Sequence, residues 1–271
     1  MADASSTRQK RSDRADPGRS GCLNSTLRFI GQHVRGFSGA VVSAFAISFI
    51  IALLATVAFI LFSQIVLGGW TQAGDDAVLQ WFARHRSPLL DSFMREVTAL
   101  GSIGILAIVA SIASVFLWLT HHRWSVLILL AGIIGGWTAN SILKIWFERP
   151  RPTIVPPLAE VGSLSFPSGH AMTSMIVYGS IAYLLTRFEP TRNIRRATVV
   201  ATLLLIVLIG ISRVYLGVHY PSDVVGGYIA GLAWIGFAAS ARAALRHFAP
   251  RRPRISAEEE KIEEKNPGLQ P

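Results

Sequence analysis

The sequence predicts an all-α, polytopic membrane protein with six transmembrane helices. Two observations carry that prediction. Hydrophobic residues make up 51% of the 271 positions and charged residues only 15%, well short of the roughly 25% usual in a soluble domain. The apolar residues also gather into runs of about 20, the length of helix that crosses a hydrocarbon layer about 30 Å thick.

The first run, Val41 to Leu67, and the second, Leu100 to Leu119, contain no charged residue and cross unaided. The third, Ser125 to Leu143, does the same. The fourth (Ser168 to Thr186), fifth (Ala197 to Ser212) and sixth (Ser222 to Ser240) begin or end in polar residues, so these helices are expected to terminate at a polar site. Between the first two spans, Gly68 to Gly101 sets Trp70, Trp81, Phe82 and Phe93 among charged residues. That pattern suits an interfacial aromatic belt, or short helices lying in the membrane plane that guide a substrate.

Charge orients the bundle, because loops rich in lysine and arginine stay in the cytoplasm. With the N-terminus inside, 19 of the 26 lysines and arginines fall on the cytoplasmic side. The expected organisation is a basic cytoplasmic segment over 1–40, a six-span domain over 41–241 and a charged cytoplasmic tail over 242–271, with both termini inside. No cleavable signal is expected before Val41, where the residues are basic and polar, and the first span is expected to direct insertion. The formal net charge of +10 follows from topology and attraction to anionic lipid; its cations are not interleaved with stacking aromatics, so nucleic acid is not an expected partner. Cys22 stands alone and cannot form an intramolecular disulfide. Ser256 and Glu259 fit a capping box in an otherwise solvated tail to which no function is assigned.

Three segments bring different chemistry to the outer ends of these spans: Lys144 to Pro152, Pro167 to His170, and Ser212 to Asp223. They contribute three cations that can converge on a phosphate. Lys144 is a point charge at the end of the third span; Pro150 and Pro152 turn the chain so that Arg151 offers a bidentate fork back over the membrane edge. Arg213 closes the fifth span with a second fork. Taken singly, Lys144 reads as a snorkelling lysine and Arg151 as a loop arginine. Glu148 and Arg149 read as solvated or locally paired, so replacing Arg149 is expected to cost far less than replacing Arg151.

Ser168 is placed to cap the fourth span, where the first backbone amides and the bare Gly169 can receive an oxyanion. His170 adjoins that turn and is the candidate general acid, since imidazole titrates near neutrality. His219 and Asp223, four residues apart, share a helical face, so the carboxylate can fix the ring's tautomer. Alone, this pair would serve equally well as a polar cap on the sixth span.

The order Lys-x6-Arg-Pro, Pro-Ser-Gly-His and Ser-Arg-x5-His-x3-Asp, compressed into about 80 residues, resembles the type 2 phosphatidic acid phosphatase and vanadium haloperoxidase superfamily, in its membrane-bound lipid phosphatase branch. The resemblance implies that His219 is the nucleophile and His170 the acid and base, with Asp223 behind His219. It further implies phosphate binding by Lys144, Arg151, Ser168, Gly169 and Arg213, with Ser212 in support. The expected activity is metal-independent hydrolysis of a membrane lipid phosphate through a phosphohistidine, at the extracytoplasmic end of the bundle and facing the periplasm or outer surface of a plasma membrane. No metal or cofactor is expected, because the three cations supply the charge a metal would, and the motifs offer one carboxylate where a dinuclear site needs several. Phosphatidate, phosphatidylglycerol phosphate, isoprenoid diphosphates such as undecaprenyl diphosphate and lipid A phosphates all share the group these residues bind. The competing class is a non-catalytic lipid-phosphate binder or transporter; a haloperoxidase-like use of vanadate fits six spans poorly.

Overall fold

The computed structural model describes residues 39–160, 162 and 164–248. Cys22, Ser256, Glu259 and nearly all of the 1–40 segment lie outside them. The chain divides after Val42 into two units, the second of which holds the helical bundle.

The described residues form eight helices and no strand: α1 (Gly39–Leu67), α2 (Gln72–Arg84), α3 (Pro88–Ala99), α4 (Ile103–Leu119), α5 (Arg123–Phe147), α6 (Gly169–Phe188), α7 (Arg192–Tyr215) and α8 (Pro221–Phe248). Six of them overlie the six apolar runs, while α2 and α3 occupy the segment between the first two. Helices α1, α5, α7 and α8 are each long and apolar enough to cross a membrane, and the pair α3 and α4, bent by 46°, raises the number to as many as five. Ser102 caps α4 by accepting from the Ile105 amide at 3.4 Å, so this helix starts later than the apolar run. Its 17 residues rise only about 25 Å.

Helix α6 misses that composition test for a physical reason. It packs against α4, α5, α7 and α8, so protein rather than lipid surrounds it, and it can carry polar residues such as the fully buried Ser174. By contrast α1 sits at the edge. Its Ala52, Ala55, Phe59 and Val66 face inward at helical spacing, whereas Ile47, Leu54 and Leu61 are exposed.

Glycines set how closely α8 approaches its neighbours. A Cβ on Gly227 would lie 2.8 Å from the Ser168 carbonyl oxygen and 3.2 Å from the Met172 nitrogen. A Cβ on Gly236 would meet the Ala52 backbone at 2.9 Å. Such backbone contacts hold α8 against α6 and against α1 at separations only glycine permits.

Two apolar clusters tie the connecting segments to one end of the bundle. Leu79 of α2 packs with Val155, Val214, Tyr220 and Val224, and Met94 of α3 with Tyr215, Leu216 and Val218. Arg86 adds bonds to the Pro156 and Tyr215 carbonyls at 2.8 and 3.1 Å. Helices α2 and α3, the 148–168 connection and the 216–220 turn therefore form one surface layer.

Candidate active site

Beneath that layer Lys144, Arg151, Gly169, His170, Arg213 and His219 line one cavity of about 280 Å³. Helix α5 runs a turn past the expected Leu143 and stops at Phe147, with Glu148 in the left-handed region at φ 47°. Lys144 therefore lies in its last turn, where its Nζ donates to the Leu164 carbonyl at 2.7 Å. Arg151 donates to the carbonyls of Val218 at 2.6 Å and Gly162 at 3.0 Å. Arg213, buried at the end of α7, donates to Thr98 Oγ1 at 2.9 Å. Each of the three cations donates to a neutral oxygen, which helps to fix its position.

Helix α6 begins at Gly169, so its first amides have no carbonyl a turn earlier to receive them. Ser168 holds the cap position, but its side chain makes no capping bond. The hydroxyl is fully buried and has no partner among the described residues. Ser168 does not itself line the cavity, which the helix terminus reaches through Gly169 and His170. A Cβ on Gly169 would crowd Asn140 Oδ1 at 3.1 Å.

His219 lies in the turn between α7 and α8 and is 2% exposed. Arg151 Nη1 stands 3.3 Å from its Nε2. A guanidinium can only donate, so Nε2 accepts and the ring proton sits on Nδ1, which faces Asp223 Oδ2 at 3.4 Å. Burial above all, with Arg213 and Arg151 adding to it and Asp223 opposing, pushes the His219 pKa down to about 4. The ring is therefore neutral near pH 7, with its lone pair on Nε2. Burial also lowers the Arg151 pKa, an effect Asp223 offsets in part; a guanidinium stays charged regardless.

Asp223 is fully buried in the first turn of α8. Its Oδ2 accepts from Ser165 Oγ and from the Tyr220 amide at 2.8 Å. Its Oδ1 accepts from Arg149 Nη1 at 2.7 Å. The other fork of Arg149 reaches Asp75 Oδ2 at 3.0 Å, and the guanidinium lies over the Tyr220 ring, 4.2 Å from its centroid.

Two sequence-based expectations change here. Arg149 is neither solvated nor locally paired: it is 7% exposed and bridges two buried carboxylates from other elements. Arg149→Ala therefore ceases to be a mild change, because stranding partners of a buried ion pair costs about 3–5 kcal/mol. Ser212, expected to support the phosphate site, instead donates to the Ile209 carbonyl at 2.6 Å within its own helix.

Residues the sequence reading missed include Ser165, Asp75 and Asn140. Only Asn140 carried a legible signal, a polar residue one helical turn before Lys144 in an apolar run, and it lines the cavity. Below the polar cavity an apolar cleft continues between α4, α5 and α6, sharing Ile103, Trp137 and Thr173 with it.

A family model described as the PAP2 superfamily matches residues 124–246. Phosphatidylglycerophosphatase B of Bacillus subtilis is 34% identical over 176 residues, covering 64% of this chain and 86% of that protein. An undecaprenyl-diphosphatase of the same organism is 31% identical over 56% of this chain and 75% of its own length. The crystal structure of a transmembrane PAP2-type phosphatidylglycerolphosphate phosphatase from Bacillus subtilis superposes with a TM-score of 0.65 at 29% identity, covering 75% of this chain and 99% of that one.

Proposed function

The chain belongs to the PAP2 superfamily and is a membrane phosphoric ester hydrolase, and from that premise we propose that it removes the terminal phosphate of a membrane lipid through a phosphohistidine on His219. The observation that carries this reading is a neutral, buried His219 whose Nε2 carries the lone pair, facing Arg151, in a cavity shared with three cations and His170.

In the first step Nε2 attacks phosphorus while the bond to the lipid oxygen breaks and His170 gives that oxygen its proton. Asp223, facing Nδ1, stabilises the positive ring that results. Lys144, Arg151 and Arg213, with the Ser168 hydroxyl and the amides beginning at Gly169, hold the equatorial oxygens where charge accumulates. In the second step His170 takes a proton from water, the water oxygen bonds to phosphorus, the P–N bond breaks, and inorganic phosphate leaves with His219 restored. Arg151→Ala and Arg213→Ala are each expected to lower kcat/KM about 100- to 1,000-fold, the scale of one lost donor in a preorganised oxyanion site. Steady-state phosphate release from folded variants checks this, and less than a tenfold loss in either would remove that arginine from the phosphate cradle.

The proposed topology has six spans over 41–241, with α4 and α6 crossing as well. Both the 1–40 segment and the 242–271 tail are cytoplasmic, and the site opens to the periplasmic or outer face of the plasma membrane. The positive-inside count supports this arrangement.

Phosphatidylglycerophosphate is the first substrate reading, supported by the name and coverage of the Bacillus subtilis phosphatidylglycerophosphatase B; undecaprenyl diphosphate is the second, supported by the other Bacillus relative. The apolar cleft below the cavity suits the tails of either. Purified protein in detergent, assayed with EDTA present, should release phosphate preferentially from phosphatidylglycerophosphate over phosphatidate and undecaprenyl diphosphate. Preference for the diphosphate would install the second reading, and activity abolished by EDTA would overturn the metal-independent mechanism.

A further inference from the structure

Arg149 and Asp75 do not line the cavity, yet both are almost fully buried, and Arg149 joins Asp75 to Asp223, the residue behind the proposed nucleophile. We infer that Asp75 and Arg149 are positioning residues which set the charge that Asp223 presents to His219. This rests on the reading of His219 as nucleophile.

The charge count makes the case. A guanidinium bonded to Asp223 alone would cancel the carboxylate that must stabilise a positive His219 ring. Asp75 prevents that, because one arginine is shared between two carboxylates and the cluster keeps a net negative charge. Tyr220 covers the guanidinium face, which shields the cluster from water. Asp75 does more than balance charge. Its Oδ1 accepts from the Ser222 amide at 3.0 Å and its Oδ2 from the Ser222 hydroxyl, so a side chain from α2 caps the N-terminus of α8. The cap fixes the turn of α8 that bears Asp223. Surface helix and catalytic helix are thereby joined through one carboxylate.

The two residues have opposite charge, and their removal should move His219 in opposite directions. Around its ring stand Asp223 of α8, Ser165 and Arg151 of the 148–168 connection, and Arg213 of α7; Lys144 of α5 and His170 of α6 line the same cavity. All are untouched by the substitutions below. Arg149→Gln removes a positive charge beside Asp223 and should raise the acid limb of kcat/KM by about half a pH unit or more. Asp75→Asn removes a negative charge and should lower that limb. Both should reduce kcat by about 10- to 100-fold, as expected for partners that orient a reacting group, with smaller changes in KM and partial recovery in Arg149→Lys.

Acid limbs that stay in place, or move together, in variants with unchanged elution and thermal midpoints would overturn the inference and leave a structural brace. If Arg149→Gln yields no folded protein, the sign of the shift in Asp75→Asn decides alone, and Arg149→Lys decides if neither folds. His219→Ala separates the two levels: activity surviving there defeats the nucleophile reading itself, whereas His219-dependent activity with unmoved limbs defeats only this inference.

Discussion

Phosphate release from His219→Ala is expected to fall at least about 10,000-fold, into the background of uncatalysed hydrolysis. The variant loses the ring nitrogen that the proposed mechanism uses to attack phosphorus, Nε2 of His219, whose proton sits on the far nitrogen. Nothing nearby replaces it: His170 is assigned to proton transfer, and Lys144, Arg151 and Arg213 are cations. Water attacking directly would lack the covalent step that splits one barrier into two, although the cradle would still bind the lipid. The measurement is phosphate release by folded protein, joined to binding of a non-hydrolysable lipid phosphonate, which should persist. Release within tenfold of the unsubstituted protein would end the phosphohistidine mechanism. Substrate-driven flux across vesicles that survives His219→Ala would instead favour a transporter.

Gly227→Val is expected to lower stability by about 3 kcal/mol, the upper end of the usual overpacking cost. The first carbon of the new side chain would already meet the Ser168 carbonyl oxygen at 2.8 Å and the Ala171 Cβ at 3.0 Å. A carbonyl in the first turn of a buried helix cannot swing aside as a flexible side chain would. Relief must come from α6 and α8 moving apart, and that motion strains the bond from the Ser168 amide to the Asp223 carbonyl at 3.0 Å. The thermal midpoint in detergent should drop by roughly 10 °C, with activity falling as well because the anion-binding turn leaves His219. Gly104→Val provides the contrast, since a Cβ there meets nothing within 4 Å. Equal midpoints for the two variants would show that the α6–α8 approach tolerates a side chain.

The sequence made the helices legible because lipid-facing surfaces must be apolar along their whole length, as in α1 and α5. It was less informative about α6, whose neighbours replace lipid and allow polar residues. Its cations and histidines were readable for a related reason: charged groups at the ends of apolar runs stand out, and Lys144, Arg151, His170, Arg213 and His219 all lie there. The cluster behind them was not readable. Asp75 and Ser222 are 147 residues apart, and neither the spacing nor the composition around Arg149 distinguishes a buried bridge from a solvated loop. Ser212 misled in the opposite way, since a polar residue beside a motif arginine had a nearby backbone carbonyl to satisfy it.

The cap that α2 places on α8 also governs when the protein can first act. During synthesis Asp75 emerges 147 residues before its partner Ser222, and the loop between them closes only after every intervening helix has been threaded. His219 and Asp223 arrive on the same late stretch of chain. A nascent chain halted before α8, which begins at Pro221, would carry Lys144, Arg151, His170 and His219 without Asp223, so on the proposed mechanism truncated products in the membrane would bind phosphate but lack the carboxylate behind the nucleophile.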